Sequence, residues 1–259
     1  MENIIDLTLI QLISAYIFVL ILFIIVKIKG IPREKEILVG SIRMTLQLVL
    51  VGYLLAYVFE NSHVIYTVVI IIVMEIFAII NIFQRVKRDL SVDLKKVIAL
   101  SLVTGTLIGQ FYFVLVVLGL SPWYEPRYFI TIAGMMIGNS MTGIALGVDR
   151  LVDGMYSKKH LLEGALMLGA TPQMACKDIV NNSFDAAILP TLNSMVGMGI
   201  VFLPGMMTGQ ILSGISPLIA IEYQIAIMLG IVGCVSLTVF IFVQLAYKTF
   251  FNKYSQLIS

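Results

Sequence analysis

The chain has 259 residues, of which 59% are hydrophobic and 12% charged; a soluble globular domain has roughly 45–50% and about 25%. A soluble fold of this length has no room to hide so much apolar surface, so lipid is the solvent for much of the chain. The net charge of +2 provides no global field for holding nucleic acid.

A spanning helix needs about 20 mostly apolar residues. Seven runs qualify in chain order: 7–26, 37–59, 64–83, 97–120, 128–148, 191–212 and 217–247. No segment alternates polar and apolar residues as a membrane barrel strand does. The sequence therefore predicts an all-α, polytopic membrane bundle, a single transmembrane domain over 1–259 without a clear internal repeat. Glu2 and Asp6 precede the first run and no small-residue cleavage site follows it, so it does not read as a cleavable signal peptide.

Charge placement orients the bundle. Lys27, Lys29, Arg33 and Lys35 follow the first run, and Arg85, Lys87, Arg88, Lys95 and Lys96 follow the third. Arg150, Lys158, Lys159 and Lys177 follow the fifth, and Lys248 and Lys253 the seventh. Seven crossings put all of these on one side, whereas six or eight would split them. The exceptions are Arg43, inside the second run, and Arg127, after the fourth. The positive-inside rule then sets the N-terminus outside and the C-terminus in the cytoplasm of a multi-pass plasma-membrane protein. The expected outer loops, 60–63, 121–127 and 213–216, are short, and the long connection, 149–190, is cytoplasmic.

That connection carries the most informative segment. Between Tyr156 and Cys176, Leu162, Ala165, Leu166 and Leu168 interleave with Lys158, Lys159 and Glu163 at helical spacing. Gly169 suits a helix end, Thr171 an N-cap and Pro172 the first position of a new helix. The expectation is a short amphipathic helix, a turn and a second helix. Such an element either lies in the lipid interface or docks apolar-face-first into a partner protein.

Ionisable residues at membrane depth usually face a bundle interior or a water-filled cavity. Gln47 in the second run and Glu75 in the third reach similar depths, with Arg43 about a turn nearer the cytoplasm, on spans joined by a four-residue loop. An Arg43–Glu75 interaction is expected, either as a structural ion pair or with Glu75 lining a translocation path. Glu222, near the outer start of the last run, is either a cation-releasing carboxylate or one favoured by a helix N-terminus. Asn139, Ser140, Asn193, Ser194 and Gln210 suit interhelical hydrogen bonds. Fourteen methionines, Met198 and Met206 among them, either pack adaptably or offer soft ligands. Gly134, Gly138, Gly143, Gly147, Gly197, Gly199, Gly205 and Gly209 allow close helix approach. Pro204-Gly205 predicts a kink or an unwound stretch between Met198 and Gln210. Cys176 and Cys234 have no metal-ligand spacing and read as buried small side chains; His63 and His160 read as non-ligands.

Two resemblances follow from these segments. Glu163-Gly164-Ala165 with Gly169 six residues after the glutamate resembles the coupling motif of ABC importer permeases, Glu-Ala-Ala then Gly, although Gly164 stands where that motif has alanine. The stretches AGMMIGNSM, EGALMLGATPQMA and AILPTLNSMVGMGIVFLPGMMTGQILSGISPLIAIEYQI, within about 132–228, are similar to the FetB-like permease family, which includes bacterial iron-export ABC permeases and plant aluminium-tolerance proteins. That resemblance implies a non-enzymatic, homodimeric permease subunit exporting a metal ion. An ATP-binding cassette ATPase subunit would bind ATP for it and press on Glu163, Gly164, Ala165, Gly169, Ala170, Thr171 and Pro172. No cofactor is expected in this chain. The residues agree on one point: no G-x-x-x-x-G-K-[ST] phosphate loop and no hydrolytic constellation occurs. The path candidates are Arg43, Gln47, Glu75, Asn139, Asn193, Met198, Met206, Gln210 and Glu222. The rival expectation is a stand-alone secondary transporter or channel with Glu75 in its path.

Overall fold

The computed structural model describes residues 7–86 and 89–258; Glu2, Asp6, Lys87 and Arg88, used in the charge argument, lie outside the described residues. Among the described residues the protein is helical throughout, with α1 Leu9–Ala15, α2 Ile17–Ile28, α3 Glu34–Glu60, α4 Val64–Arg85, α5 Val92–Tyr112, α6 Pro126–Ser157, α7 Lys159–Met167, α8 Pro172–Gly197, α9 Gly205–Leu212 and α10 Pro217–Ala246. Six stretches among them are long and apolar enough to cross a membrane: Leu9–Ile28, Glu34–Glu60, Val64–Arg85, Val92–Val117, Pro126–Ser157 and Pro217–Phe250.

The expected sixth run, 191–212, is not among these and needs correction. Its first residues are the end of α8, which starts at Pro172, and its last are α9. Between them the chain leaves the helix, as Pro204-Gly205 led one to expect. Gly199 adopts φ +84°, its N–H bonds back to the Phe202 carbonyl at 3.0 Å, and Pro204 has no N–H to offer a continuing ladder. In the connection 149–190 the expected helix, turn and second helix are present as α7, the turn at Gly169 and α8; the helices on either side reach further into it than expected, because α6 runs on to Ser157 and α8 continues to Gly197.

The helices fall into two units: residues up to 62 with 212–214, and 63–211 with 215–258. In the first, Thr8 and Gln11 form a reciprocal capping box at the start of α1. Tyr16 interrupts the α1–α2 run and its hydroxyl hydrogen-bonds Thr45 on α3.

The second unit holds the core. Ile82, Ile98, Leu102, Phe113, Met136, Ile144, Val148, Leu151, Val239 and Phe242 are buried between α4, α5, α6 and α10, and α8 packs along α6 and α10. Lipid is as apolar as these side chains, so close packing rather than water exclusion selects the arrangement. The closest approach is at α5. A Cβ on Gly105 would meet the Thr238 Cα at 2.6 Å, and one on Gly109 the Cys234 Cβ at 2.9 Å. This Gly-x-x-x-Gly pair lets α10 lie directly on the α5 backbone. On α6, a Cβ on Gly154 would lie 2.6 Å from Ile179 of α8, and Gly143 and Gly147 face Ala187. After Tyr112 the α5 chain winds as a five-residue π-helix, Phe113–Val117.

Candidate functional site

Two features of the second unit go beyond packing. The first is a seam of polar side chains through the apolar core. Glu75, at the middle of α4, is 6% exposed. Its carboxyl Oε1 lies 2.5 Å from the Thr106 hydroxyl on α5, and that hydroxyl is also 2.7 Å from the Leu102 carbonyl of its own helix. Among the described residues Glu75 Oε2 has no hydrogen-bond partner. One turn along α5, Gln110 donates through Nε2 to the Phe129 carbonyl on α6 at 3.1 Å. On the α10 side of α5, the Cys234 thiol lies 3.8 Å from the Gly105 carbonyl and 3.7 Å from Ser140 Oγ of α6. Four helices thus meet through five side chains, a glutamate, a glutamine, two hydroxyls and a thiol.

The second feature is the tip formed by α7, a turn and the start of α8. Its construction follows from local rules. Gly169 takes φ +89°; its N–H bonds the Leu166 carbonyl and the Ala170 N–H bonds the Ala165 carbonyl, both at 3.0 Å. That is a Schellman closure, in which a residue without Cβ is strongly favoured at the left-handed position. Thr171 then accepts the Met174 N–H at 3.3 Å as the N-cap of α8, with Pro172 at the first position. Both helix ends are satisfied, so the turn is fixed by its own hydrogen bonds. Leu162 anchors α7 to the core. Met167 is 87% and Leu168 91% exposed, and Leu161 and Met174 are exposed too. Lipid-scale apolar side chains are presented on a rigid scaffold. Glu163 sits 3.9 Å from both Lys159 and His160 in partly exposed pairs worth little by themselves.

The remaining sequence candidates are scattered. Arg43 and Gln47 are on α3 of the first unit; the hydrogen bond that Glu75 makes within its own unit is with Thr106, a partner the sequence reading did not name. Asn139 donates to the Met135 carbonyl and Ser194 to the Pro190 carbonyl, each inside its own helix rather than across to another. A short polar side chain in a helix reaches the carbonyl four residues back more easily than a neighbouring helix. Asn193 is exposed on α8. Met198 stands at the helix break, where its sulfur accepts from Gln224 of α10 at 3.7 Å. Met206 and Gln210 lie on α9. Glu222 lines a groove of about 700 Å³ between α5 and α10 that reaches Gly230 and Cys234. His63 caps α4, its Nδ1 accepting from the Ile65 N–H. Sequence reasoning missed Thr106, Gln110 and the Gly105–Gly109 pair; polar and small residues at four-residue spacing inside the run 97–120 were the available signal.

These features define a multi-pass membrane protein with a polar seam through its apolar interior and an exposed helix–turn–helix tip. Comparison with known proteins then places it: the chain belongs to the family described as "Uncharacterised protein family (UPF0014)", whose model matches residues 9–251. It is 33% identical over 241 residues to the UPF0014 membrane protein YjkA of Bacillus subtilis, covering 93% of this chain and 94% of that one. It is 32% identical over 244 residues to a protein of Escherichia coli named as a probable iron export permease, FetB, covering 94% and 92%. It is 34% identical over 245 residues to the protein ALUMINUM SENSITIVE 3 of Arabidopsis thaliana, covering 94% and 88%. The expected resemblance is thereby met over nearly the whole chain. No solved structure matches.

Proposed function

We propose that this chain is the membrane-spanning permease subunit of an ABC transporter that exports a metal ion from the cell, paired with a second copy of itself and driven by a separate ATP-binding chain. The observation that carries the reading is the α7–α8 tip. Met167 and Leu168 stand exposed on a turn locked by the Gly169 closure and the Thr171 cap, a form suited to receiving a push from another protein without melting. The Escherichia coli relative, named as an iron export permease, supports the substrate class.

In this reading α8, with α9 beyond the break, supplies a further crossing. The chain then crosses seven times, with the N-terminus outside and the tip and C-terminus in the cytoplasm of the plasma membrane. Closure of the ATP-binding chains presses on the residues around Glu163–Pro172, and α8 carries the displacement to the break at 198–204. The competing reading is a stand-alone secondary transporter, favoured by one observation: the buried carboxylate of Glu75.

The test is affinity purification of the chain from its native membranes. An ATP-binding chain with a phosphate loop should co-purify, and its ATP hydrolysis should rise with added Fe²⁺ or another divalent metal. Metal transport by the chain alone in liposomes, driven by a proton gradient and indifferent to ATP, would replace this reading with the secondary transporter.

A further inference from the structure

Among the described residues two buried side-chain oxygens have no hydrogen-bond partner, Oε2 of Glu75 and Oε1 of Gln110. Both residues are more than nine-tenths buried, at 6% and 1% exposure. The Gln110 oxygen is an acceptor, and the Glu75 oxygen is one whenever the carboxyl is ionised, as it is when it holds a cation. For Gln110 the structure fixes which end of the amide is oxygen, because Nε2 donates to the Phe129 carbonyl at 3.1 Å and the flipped amide would set oxygen against oxygen. Thr106 ties the two together: its hydroxyl meets the other Glu75 oxygen at 2.5 Å, and it stands one turn before Gln110 on the same face of α5.

A structural link between α4 and α5 does not require this chemistry. A glutamine at 75 would meet Thr106 equally well without placing an ionisable group in hydrocarbon, where such groups are costly and mark ion pathways. What two acceptor oxygens lack is an electropositive partner. We propose that Glu75, Thr106 and Gln110 form an intramembrane binding point for the permeant cation, of the hard or borderline class that oxygen ligands select. The inference rests on the transporter reading and names its substrate class. Cys234, the soft donor of the seam, faces Ser140 and the Gly105 carbonyl on the α10 side of α5 and is not among these three residues. Three oxygens from two helices make a sparse site, which suits an ion that must leave again.

The test uses the full-length chain in lipid nanodiscs without any ATP-binding chain, titrated with Mn²⁺ and followed by loss of the free-ion electron paramagnetic resonance signal. Saturable binding is expected. Glu75→Gln should weaken it at least about tenfold, Gln110→Leu should weaken it as well, and Cys234→Ser should leave it unchanged. Thermal unfolding and gel-filtration profiles matching the wild type establish that each variant is folded; should Glu75→Gln be destabilised, Gln110→Leu decides. Absence of Mn²⁺ binding, or binding unaffected by both variants, overturns the proposal and makes the two oxygens a hydrated structural feature. Cu(I) binding that Glu75→Gln abolishes, with no Mn²⁺ binding, overturns the class. Because no ATP-binding chain is present, the outcome is separable from that of the co-purification above.

Discussion

Gly105→Ala tests the packing that holds the polar seam in place. The added Cβ would sit 2.3 Å from the Thr238 hydroxyl oxygen, 2.6 Å from its Cα and 2.8 Å from its Cβ. Carbon atoms rest at about 3.5 Å or more, so clearing the Cα alone requires α5 and α10 to part by about 0.9 Å. Rotating the Thr238 side chain does not help, because the obstructing atom belongs to the backbone. Overpacking of this kind costs about 1–3 kcal/mol. At about 2–4 °C per kcal/mol for a chain of this size class, the midpoint of thermal unfolding should fall by roughly 2–12 °C. The assay is intrinsic tyrosine and tryptophan fluorescence during a thermal ramp in detergent. Gly138→Ala is the control, since a Cβ there meets nothing within 4 Å, and it should stay within about 1 °C of the wild type. Adding Thr238→Ala to Gly105→Ala should restore little, as the Cα remains. Gly105→Ala as stable as Gly138→Ala would refute the account of the α5–α10 contact.

Gly169→Val places a branched side chain at φ +89° with nothing within 4 Å of its Cβ, so its strain of about 1–2 kcal/mol is purely backbone. Metal transport per ATP hydrolysed should fall severalfold, and an unchanged ratio would argue against coupling at this turn. Thr171→Ala removes the α8 cap and should cost about 1 kcal/mol, read as a lower unfolding midpoint that Thr171→Ser does not share. Cys176 and Cys234 are both buried, so the native chain should resist a maleimide at neutral pH; prompt labelling would contradict the burial. Against that silent background, Leu168→Cys should react with an impermeant maleimide only in permeabilised cells and Ser62→Cys in intact cells. The reverse pattern would invert the orientation.

What the sequence made legible was local. Thr171, Pro172 and Gly169 act through their own backbone geometry, and the structure gives each its expected place. Long apolar runs such as 64–83 and 217–247 announce α4 and α10 because lipid demands that composition. The unwound stretch inside the run 191–212 was legible from Pro204-Gly205, with the positive-φ Gly199 opening it; what the run hid is that its first residues are the end of a helix begun at Pro172, because composition registers where apolar residues are and not which helix they belong to. The start of α8 was legible at Thr171-Pro172, but its full length to Gly197 was not, because Asp178, Asn181, Asn182 and Asp185 are too polar for a lipid-facing span, while its packing on α6 and α10 is a tertiary fact. The glycine stripes show the same limit. Gly143 and Gly147 do meet a neighbour, but Gly138, Gly205 and Gly209 face open space, and the tightest approach, at Gly105, lies on a helix for which no stripe was drawn. Glu75 was visible as a charge in a span, whereas its partner depends on which face of α4 meets α5.

The central claim is that the α7–α8 tip is the surface on which an ATP-binding chain pushes. The direct measurement places a photo-activatable benzoylphenylalanine at Leu168 and, in a second variant, at Ile200; these positions are 91% and 92% exposed, one on the tip and the other at the helix break. After irradiation of native membranes, the Leu168 probe should yield an adduct with an ATP-binding chain and the Ile200 probe should not. An adduct from Ile200 alone, or none from Leu168 in membranes that actively transport metal, would contradict the account.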